Sequence, residues 1–325
     1  MNTLTSIYED IAARTAGDIY LGVVGPARTG KSTFIKRFME TLVLPSIDDD
    51  YRRQRARDEL PQSGSGRTVM TAEPKFVPEE AVEIAMAGGG TFSVRLVDCV
   101  GYLVPGAVGQ LEDGEPRMVH TPWFPQEIPM AEAAEIGTRK VIAEHATIGI
   151  VITTDGTITD LPREAYPEAE GRVIEELKAL GKPFLILLNS AHPQGEAAQK
   201  LRAKLAEQYD VTCLAVSCLE LDQQAVTEII QAVLYEFPLE ELQLFLPDWV
   251  ETLPTEHPIR TALFQAIRAQ AGKLVRIRDV KPAVAAKGQG GLVTGAPVTG
   301  VKLGPGCRQA RVGLPRRPVY CPPPP

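Results

Sequence analysis

The sequence predicts an α/β fold in which a mainly parallel sheet, with helices on both faces, ends in one antiparallel edge strand. Apolar runs typical of buried strands alternate with helical patterns between residues 18 and 235, and this alternation indicates a parallel sheet. Three consecutive glycines at 88–90 separate two short strand patterns, which predicts a hairpin and hence the antiparallel strand. The chain of 325 residues, 44% of them hydrophobic, can bury such a core without disulfides or structural metal.

The predicted elements follow one another in a regular order. Strand patterns occupy residues 18–25, 82–86, 91–97, 147–153, 184–188 and 211–216. Helical patterns occupy residues 31–44, the Arg-rich part of 48–66, and residues 130–145, 168–180, 196–208, 223–235 and 259 onwards. Because a helical pattern separates most strands from the next, we expect a sheet that is covered on both faces.

The turn after the first strand carries a phosphate-binding motif. Residues 25–32 read GPARTGKS and match G-x-x-x-x-G-K-[ST] at every fixed position. The glycines let the backbone approach a polyphosphate, so that its amides and the following helix N-terminus face the phosphate oxygens. The lysine is expected to reach the β and γ phosphates, and the serine hydroxyl to bind Mg²⁺. The candidate nucleotide-binding residues of this P-loop are Gly25, Pro26, Ala27, Arg28, Thr29, Gly30, Lys31, Ser32 and Thr33.

A second motif, DCVG at residues 98–101, has the D-x-x-G form that ends the second magnesium-binding strand of Ras-like P-loop NTPases. The Asp98 carboxylate can hold the metal through a water, and the Gly101 amide can contact the γ-phosphate. Between the two motifs, a switch segment must supply a hydroxyl to the magnesium. Thr68 and Thr71 are the candidates, and residue chemistry alone leaves both open.

The motif that reads guanine in Ras-like proteins is altered. Those proteins carry N-K-x-D after the fifth strand, whereas this chain has Asn189, Ser190, Ala191 and His192. A neutral imidazole does not offer the two acceptors of a carboxylate, so ATP is favoured over GTP, and Asn189 stays a candidate nucleotide-binding residue. Tyr102 stands where Ras-type enzymes place a water-orienting Gln, which predicts slow hydrolysis or a group supplied in cis or by self-association.

Composition argues against several other classes of function. The formal net charge of −7 gives no indication of a nucleic-acid partner. The five cysteines show no paired metal-ligand spacing and are expected to be reduced thiols of a cytoplasmic protein. No apolar run reaches the ~20 residues that a spanning helix needs. Residues 1–14 lack the apolar core of a signal peptide, so we expect a cytoplasmic location.

Longer segments identify a family. DELPQS at residues 58–63, MTAEPKFVP at 70–78, LVDCVGY at 96–102 and EIGTRKVI at 135–142 are much more specific than a P-loop. With these segments, residues 7–279 resemble the stage IV sporulation protein A family, ATPases that build the basement layer of the bacterial spore coat. The resemblance implies a Ras-like fold of the TRAFAC class that has changed from GTP to ATP. It also implies Mg²⁺-dependent ATP hydrolysis that drives self-assembly around the forespore.

The resemblance assigns roles to single residues. The family's Walker A lysine matches Lys31, and its Walker B aspartate matches Asp98. Of two adjacent sensor threonines, the first matches Thr71, while the second position holds Ala72, and this favours Thr71 over Thr68. The candidate catalytic residues are therefore Lys31, Thr71, Asp98 and Gly101, and the candidate metal ligands are Ser32, Thr71 and Asp98.

The resemblance also implies a location and partners. The expected partners are further copies of the chain, a small amphipathic peptide that anchors members of the family at the forespore membrane, and other coat proteins. The expected location is the mother-cell cytoplasm, at the forespore surface.

The composition changes abruptly near the C-terminus. Residues 279–325 contain 8 Gly, 9 Pro and 7 Lys or Arg but a single acidic residue, Asp279. Because no helical or strand period is visible there, we expect a disordered basic tail or a shifted reading frame. The predicted domains are 1–238 for the ATPase domain, 239–278 for the start of a truncated middle domain, and 279–325 for the tail.

Three alternative functions stay open at this point. A Ras-like GTPase switch would share both motifs, although residues 189–192 argue against it. A P-loop kinase with residues 52–57 as its lid is disfavoured by the predicted antiparallel hairpin. A nucleotide-binding coat subunit without turnover is consistent with Ala72.

Overall fold

The computed structural model of the chain describes residues 15, 17–61, 75–85, 91–99, 101–106, 111–112, 115–121, 124–246, 248–280, 298–302 and 307–311. The chain divides into two compact units, Met1–Val233 and Leu234–Pro325. Each unit contains a β-sheet of its own.

The described residues form strands and helices in alternation over most of the first unit. The strands are β1 Asp18–Val24, β2 Lys75–Ala85, β3 Thr91–Asp98, β4 Leu111–Glu112, β5 Glu115–Pro116, β6 Met118–Thr121, β7 Phe124–Pro129, β8 Ile148–Thr154, β9 Phe184–Asn189, β10 Cys213–Val216, β11 Glu241–Phe245, β12 Val298–Lys302 and β13 Cys307–Arg311. The helices are α1 Lys31–Phe38, α2 Asp50–Asp58, α3 Met130–Lys140, α4 Pro167–Leu180, α5 Glu196–Tyr209, α6 Gln223–Glu236, α7 Asp248–Glu251 and α8 Pro258–Ala271. Shorter or wider helical turns occupy Met39–Val43, Leu44–Ser46, Val141–His145, Arg163–Ala165 and Ile277–Asp279.

The six-stranded sheet of the first unit has the order β10-β9-β8-β1-β3-β2. All neighbours are parallel except β2 and β3, which are antiparallel. The predicted mainly parallel sheet with one antiparallel edge strand is therefore confirmed. Strand β2 begins at Lys75 rather than at residue 82, and its register shifts between Val77 and Val82. Pro78 lies at this irregularity, because a proline has no amide hydrogen for the ladder. The glycines at 88–90 lie outside the described residues.

Helices bury both faces of this sheet, as predicted. On one face, Phe34 and Phe38 of α1 and Ile229 of α6 pack beside Ile150 of β8. On the other face, the apolar side of α4 packs with Val151 and the neighbouring strands. Every residue of β8 is buried, as expected of a central parallel strand covered from two sides. The carboxyl ends of these central strands lie at one edge of the covered sheet.

The second unit contains a small sheet in which β13 pairs parallel with β11 and antiparallel with β12. Strands β12 and β13 lie in the segment for which a structureless tail was predicted, so that prediction was wrong for these two strands. Each has only five residues, and β13 pairs with a strand far earlier in the chain. Such non-local pairing leaves no periodic signal in the tail itself. The other residues from 281 onwards lie outside the described ranges.

A buried carboxylate stabilises the described part of this second unit. Glu236 pairs with Arg276 at 3.0 Å and with Arg278 at 3.3 Å. The Ile277 amide also donates to the Phe237 carbonyl at 3.1 Å. These contacts join the end of α6 to the segment that follows α8.

Among the helices of the described residues, none combines the length and the apolar character that crossing a membrane requires.

Candidate nucleotide-binding site

The P-loop motif lies between the end of β1 and the start of α1. Gly25 has a φ of 134°, and a Cβ atom there would lie 2.2 Å from the Ile152 carbonyl oxygen of β8. Only glycine permits this approach, so the loop turns tightly over the carboxyl edge of the sheet. Gly30, with φ 92°, caps α1, and the first turn of the helix begins at Lys31. The local structure is the strand–loop–helix context in which this motif cradles phosphates.

The Lys31 side chain is buried beneath the loop. Its ammonium group donates to the carbonyl oxygens of Pro26 at 2.6 Å and Gly25 at 3.4 Å. Burial lowers the pKa of Lys31 to about 8, although the negative charge of Asp98 opposes the shift. A desolvated cation of this kind is stabilised by a nearby anion. The position of Lys31 therefore suits an anionic ligand in the loop.

Ser32 and Asp98 meet at the beginning of α1 and the end of β3. The Ser32 hydroxyl donates to the Asp98 carboxylate at 2.8 Å. Burial raises the pKa of Asp98, while the bond from Ser32 and the charge of Lys31 lower it. Hydroxyl and carboxylate oxygens are ligands that Mg²⁺ accepts, so this pair fits a magnesium site completed by water and substrate phosphate. No group of three or more His, Cys, Asp or Glu side chains within the described ranges offers an all-protein metal site.

The D-x-x-G segment is hydrogen-bonded to the P-loop through its backbone. The Ala27 amide donates to the Tyr102 carbonyl at 2.7 Å, and the Tyr102 amide donates to the Gly25 carbonyl at 3.2 Å. Gly101 has a φ of 85°, and a Cβ atom there would lie 2.2 Å from the Gly25 oxygen and 2.6 Å from the Lys31 nitrogen. The two predicted motifs are therefore in direct contact, and only a glycine fits at the contact.

Tyr102 directs its side chain away from these backbone contacts. Its ring is fully buried, and its hydroxyl donates to Glu176 of α4. Glu176 also pairs with Arg139 of α3 at 2.9 Å, and the Arg172 guanidinium lies 5.3 Å from the tyrosine ring. Burial raises the pKa of the phenol. Because its hydroxyl is committed to Glu176, this side chain does not replace the water-orienting Gln of Ras-type enzymes in this conformation.

Asn189 connects the P-loop to the opposite side of the site. Its amide donates to the Thr29 carbonyl at 3.0 Å, and its side-chain oxygen accepts from the Cys218 amide at 3.0 Å. The loop after Asn189 has a more exposed contact, in which the Ala191 amide donates to the Thr157 hydroxyl at 2.9 Å. Both polar atoms of Asn189 thus bond to protein partners, and these bonds position the loops. The amide carries a second hydrogen, so its role toward a nucleotide stays a prediction.

Comparisons with known proteins agree with this arrangement. The family model described as "Stage IV sporulation protein A, ATPase domain" matches residues 1–238. The chain belongs to the stage IV sporulation protein A family. A second model, "Stage IV sporulation protein A, middle domain", matches residues 239–320. This match includes most of the segment for which an unrelated tail was expected, and it speaks against a shifted reading frame there.

Three curated relatives share the family name. The Bacillus subtilis (strain 168) protein is 50% identical over 300 residues, which is 92% of this chain and 61% of the relative. The Clostridioides difficile (strain 630) protein is 48% identical over 301 residues, with 93% and 61% covered. The Bacillus anthracis protein is 50% identical over 300 residues, with 92% and 61% covered. The chain thus spans 61% of the length of these relatives.

The ATPase domain of this family member brings most of the predicted site residues together. Lys31, Ser32, Asp98 and Gly101 lie at one carboxyl edge of the sheet, and Asn189 contacts the same loop. Thr33 lies beside Ser32 on α1. The predicted switch residues Thr68, Thr71 and Ala72 lie outside the described residues, so their role stays a prediction. Cys99, Cys213 and Cys218 are buried free thiols.

One buried ion pair near the site was not predicted from the sequence. Arg163 forms a two-pronged ion pair with Glu170, at 2.7 and 3.0 Å. Glu170 also accepts from the Thr153 hydroxyl at 2.6 Å, so the pair braces the loop that follows β8. The sequence contains a signal for this ion pair, because Glu170 lies on the same helical face as the apolar residues Ala169, Val173, Ile174 and Leu177. A carboxylate on an apolar stripe needs a buried partner.

Proposed function

We propose that this chain binds ATP with Mg²⁺ at residues 25–33 and hydrolyses it. The observation that carries the proposal is the contact of three groups in one place. A buried lysine lies under the loop, a Ser32–Asp98 oxygen pair lies at its end, and Gly101 touches both Gly25 and Lys31. The match of residues 1–238 to a family of ATPase domains supports the same reaction.

In this proposal each group of the site has a separate task. Lys31 balances phosphate charge, and backbone amides of the loop hold the phosphate oxygens. Ser32 and Asp98 orient the metal, which when bound neutralises charge on the phosphates. The Gly101 amide contacts the terminal phosphate, and the backbone bonds of Tyr102 hold it against the loop. Thr71 supplies the switch hydroxyl that the family resemblance assigns to it.

The segment that follows β9 favours ATP over GTP. Ser190 and His192 stand at the positions where guanine-specific relatives carry Lys and Asp, and His192 is exposed at the edge of the site. A carboxylate is the group that accepts two hydrogen bonds from guanine. We therefore propose adenine as the base.

We further propose that hydrolysis drives assembly of further copies of this chain into the basement layer of the spore coat, in the mother-cell cytoplasm at the forespore surface. The family name and the presence of both the ATPase and middle domains support this role. Contact with a small amphipathic anchoring peptide and with other coat proteins belongs to the same proposal, by family resemblance.

The test is single-turnover hydrolysis of ATP and GTP with Mg²⁺ by the full chain, with polymer measured by sedimentation. Lys31→Ala is expected to lower ATP hydrolysis by about 100-fold or more, because it removes the cation under the phosphates. The matched control is Lys36→Ala on the same helix, which should hydrolyse ATP at the wild-type rate. Preference for GTP would support a switch function instead. Polymer formation with a nonhydrolysable analogue would support a coat subunit that needs binding but not turnover.

A further inference from the structure

We propose that Arg28 supplies the positive charge that stabilises the transferred phosphoryl group during hydrolysis; this inference rests on the proposed function. Arg28 is one of the candidate nucleotide-binding residues of the P-loop, but it occupies a variable position of the motif, which gives its side chain no task of its own. Three observations single it out: its backbone conformation, the bonds that impose that conformation, and the lack of a partner for its guanidinium among the described residues.

The backbone of Arg28 is left-handed, with a φ of 64°. Among the described residues, only one other non-glycine residue, Asp210, has a positive φ, and it caps the end of α5. Asp and Asn adopt this conformation with relative ease, whereas a long side chain does so at a steric cost. Glycine would fit the position without strain, so an arginine here is a sign that its side chain is needed.

Bonds on both sides impose this conformation. The Ala27 amide is held by the Tyr102 carbonyl, and the Thr29 carbonyl is held by Asn189. The Thr29 hydroxyl in addition donates to the Pro26 carbonyl at 3.0 Å. Because the residues before and after Arg28 are fixed, the direction in which its side chain leaves the loop is fixed too.

The guanidinium of Arg28 has no protein partner among the described residues. No hydrogen bond, ion pair or ring contact joins it to another side chain within the described ranges, and the residue is half-buried. By contrast, Arg163 and Arg139 are each paired with a glutamate. The loop that carries Arg28 is the one that surrounds the phosphates. A guanidinium in this loop that has no partner among the described residues is available to bind an anionic ligand.

Phosphoryl transfer gives such a charge a task. In phosphoryl transfer, charge spreads over the oxygens of the transferred group, and an arginine that stabilises it contributes about 10³–10⁵ in rate. The position after D-x-x-G, where Ras-type enzymes hold a water-orienting Gln, is filled by Tyr102, whose hydroxyl bonds Glu176. The planar guanidinium fork of Arg28 matches phosphate oxygens in a way that a second lysine would not.

The experiment compares Arg28→Gly and Arg28→Ala with the wild-type full chain. Arg28→Gly removes the guanidinium and relieves the backbone strain, so its melting temperature should be equal or higher. Its dissociation constant for fluorescently labelled ADP should stay within about threefold, while single-turnover ATP hydrolysis falls by about 100-fold or more. Wild type should bind ADP with aluminium fluoride at least about tenfold more tightly than ADP alone, and the variant should lose this gain.

Controls separate the possible causes. Arg57→Ala removes an exposed arginine from α2 and should change none of these readings. Arg28→Ala keeps a side chain on the left-handed backbone and should lose hydrolysis as Arg28→Gly does. If Arg28→Ala hydrolyses at the wild-type rate, the glycine acted through flexibility and the inference is overturned.

Two further outcomes also overturn it. In one, both variants hydrolyse within threefold of wild type; in the other, Arg28→Gly weakens ADP binding as much as hydrolysis, which makes Arg28 a ground-state anchor. If wild type itself hydrolyses no faster than Lys31→Ala, the proposed function has failed. If the wild type hydrolyses ATP and Arg28→Gly is equally active, the inference about Arg28 is overturned while the proposed function stands.

Discussion

The two flanks of the P-loop are held by different kinds of bond. On the phosphate flank, formed by Gly25, Ala27, Gly101 and Tyr102, backbone bonds join the two motifs, and the Ser32–Asp98 bond lies beside them. On the base flank, formed by Thr29, Asn189, Ala191 and Cys218, every hydrogen bond between the loops involves a side chain.

This difference decides how each flank responds to change. A backbone contact is independent of the side chains around it, but it needs close approach and therefore a glycine. A side-chain bridge such as Asn189 can be altered by a single substitution without moving the main chain. We therefore expect substitutions to be tolerated better on the base flank than on the phosphate flank, where the close approach needs a glycine.

The largest effect is expected at Gly101. In Gly101→Ala, the new Cβ would meet the Gly25 oxygen at 2.2 Å and the Lys31 nitrogen at 2.6 Å, so the two motifs must separate. We expect the free energy of unfolding to fall by about 3–4 kcal/mol, because overpacking adds to the strain of a positive φ. ATP hydrolysis should fall by about 100-fold or more, since small displacements of reacting groups have effects of this size. Chemical denaturation and single-turnover assays measure the two changes.

Gly181→Ala is the matched control for this substitution. Gly181 caps α4 with a φ of 66°, and nothing lies within 4 Å of a Cβ built there. Gly181→Ala should therefore lower the free energy of unfolding only by the cost of a positive φ, about 1 kcal/mol, and should leave ATP hydrolysis unchanged. Equal losses in the two variants would contradict the idea that close approach, rather than φ, makes Gly101 necessary.

An intermediate effect is expected at Asn189. Asn189→Ala leaves the Thr29 carbonyl and the Cys218 amide without their partner, at about 1–1.5 kcal/mol for each lost hydrogen bond. We expect a total loss of about 2–3 kcal/mol in stability and an ATP affinity about tenfold weaker, because Thr29 lies in the loop that holds the phosphates. Denaturant titration and labelled-nucleotide binding give the two values.

Asn189→Asp sharpens this prediction. An aspartate still accepts from the Cys218 amide, but it cannot donate to the Thr29 carbonyl. If the bond to Thr29 is what shapes the P-loop, Asn189→Asp should weaken ATP binding as much as Asn189→Ala while recovering part of the stability. Wild-type binding by Asn189→Asp would show that the Cys218 side of the bridge is the important one.

The same contrast explains what the sequence could predict. The P-loop and Asp98 were predicted because a contiguous motif and a strand end specify them locally, and parallel strands bring their carboxyl ends to one edge. The parallel sheet and its antiparallel edge followed from apolar runs and a glycine turn. Each of these signals lies within a few residues.

Features that depend on distant side chains were not predicted. The bridge that Asn189 forms was not predicted, because its two partners, Thr29 and Cys218, are far away in the sequence. The hydroxyl of Tyr102 is bound to Glu176 on another element, and β13 pairs with a strand more than sixty residues earlier. Periodicity and spacing report neighbours along the chain, whereas these contacts are made by the fold.

The smallest effect is expected at Thr157. Its hydroxyl accepts from the Ala191 amide at 2.9 Å, at an exposed position where water can take its place. Thr157→Val keeps the shape of the side chain and should lower stability by about 0.5–1 kcal/mol, with ATP affinity unchanged within about twofold. Thr157→Ser, which keeps the hydroxyl, should match wild type in the same denaturation and binding assays. A loss from Thr157→Val as large as that from Asn189→Ala would mean that the outer loop, and not the Asn189 bridge, holds the base flank together.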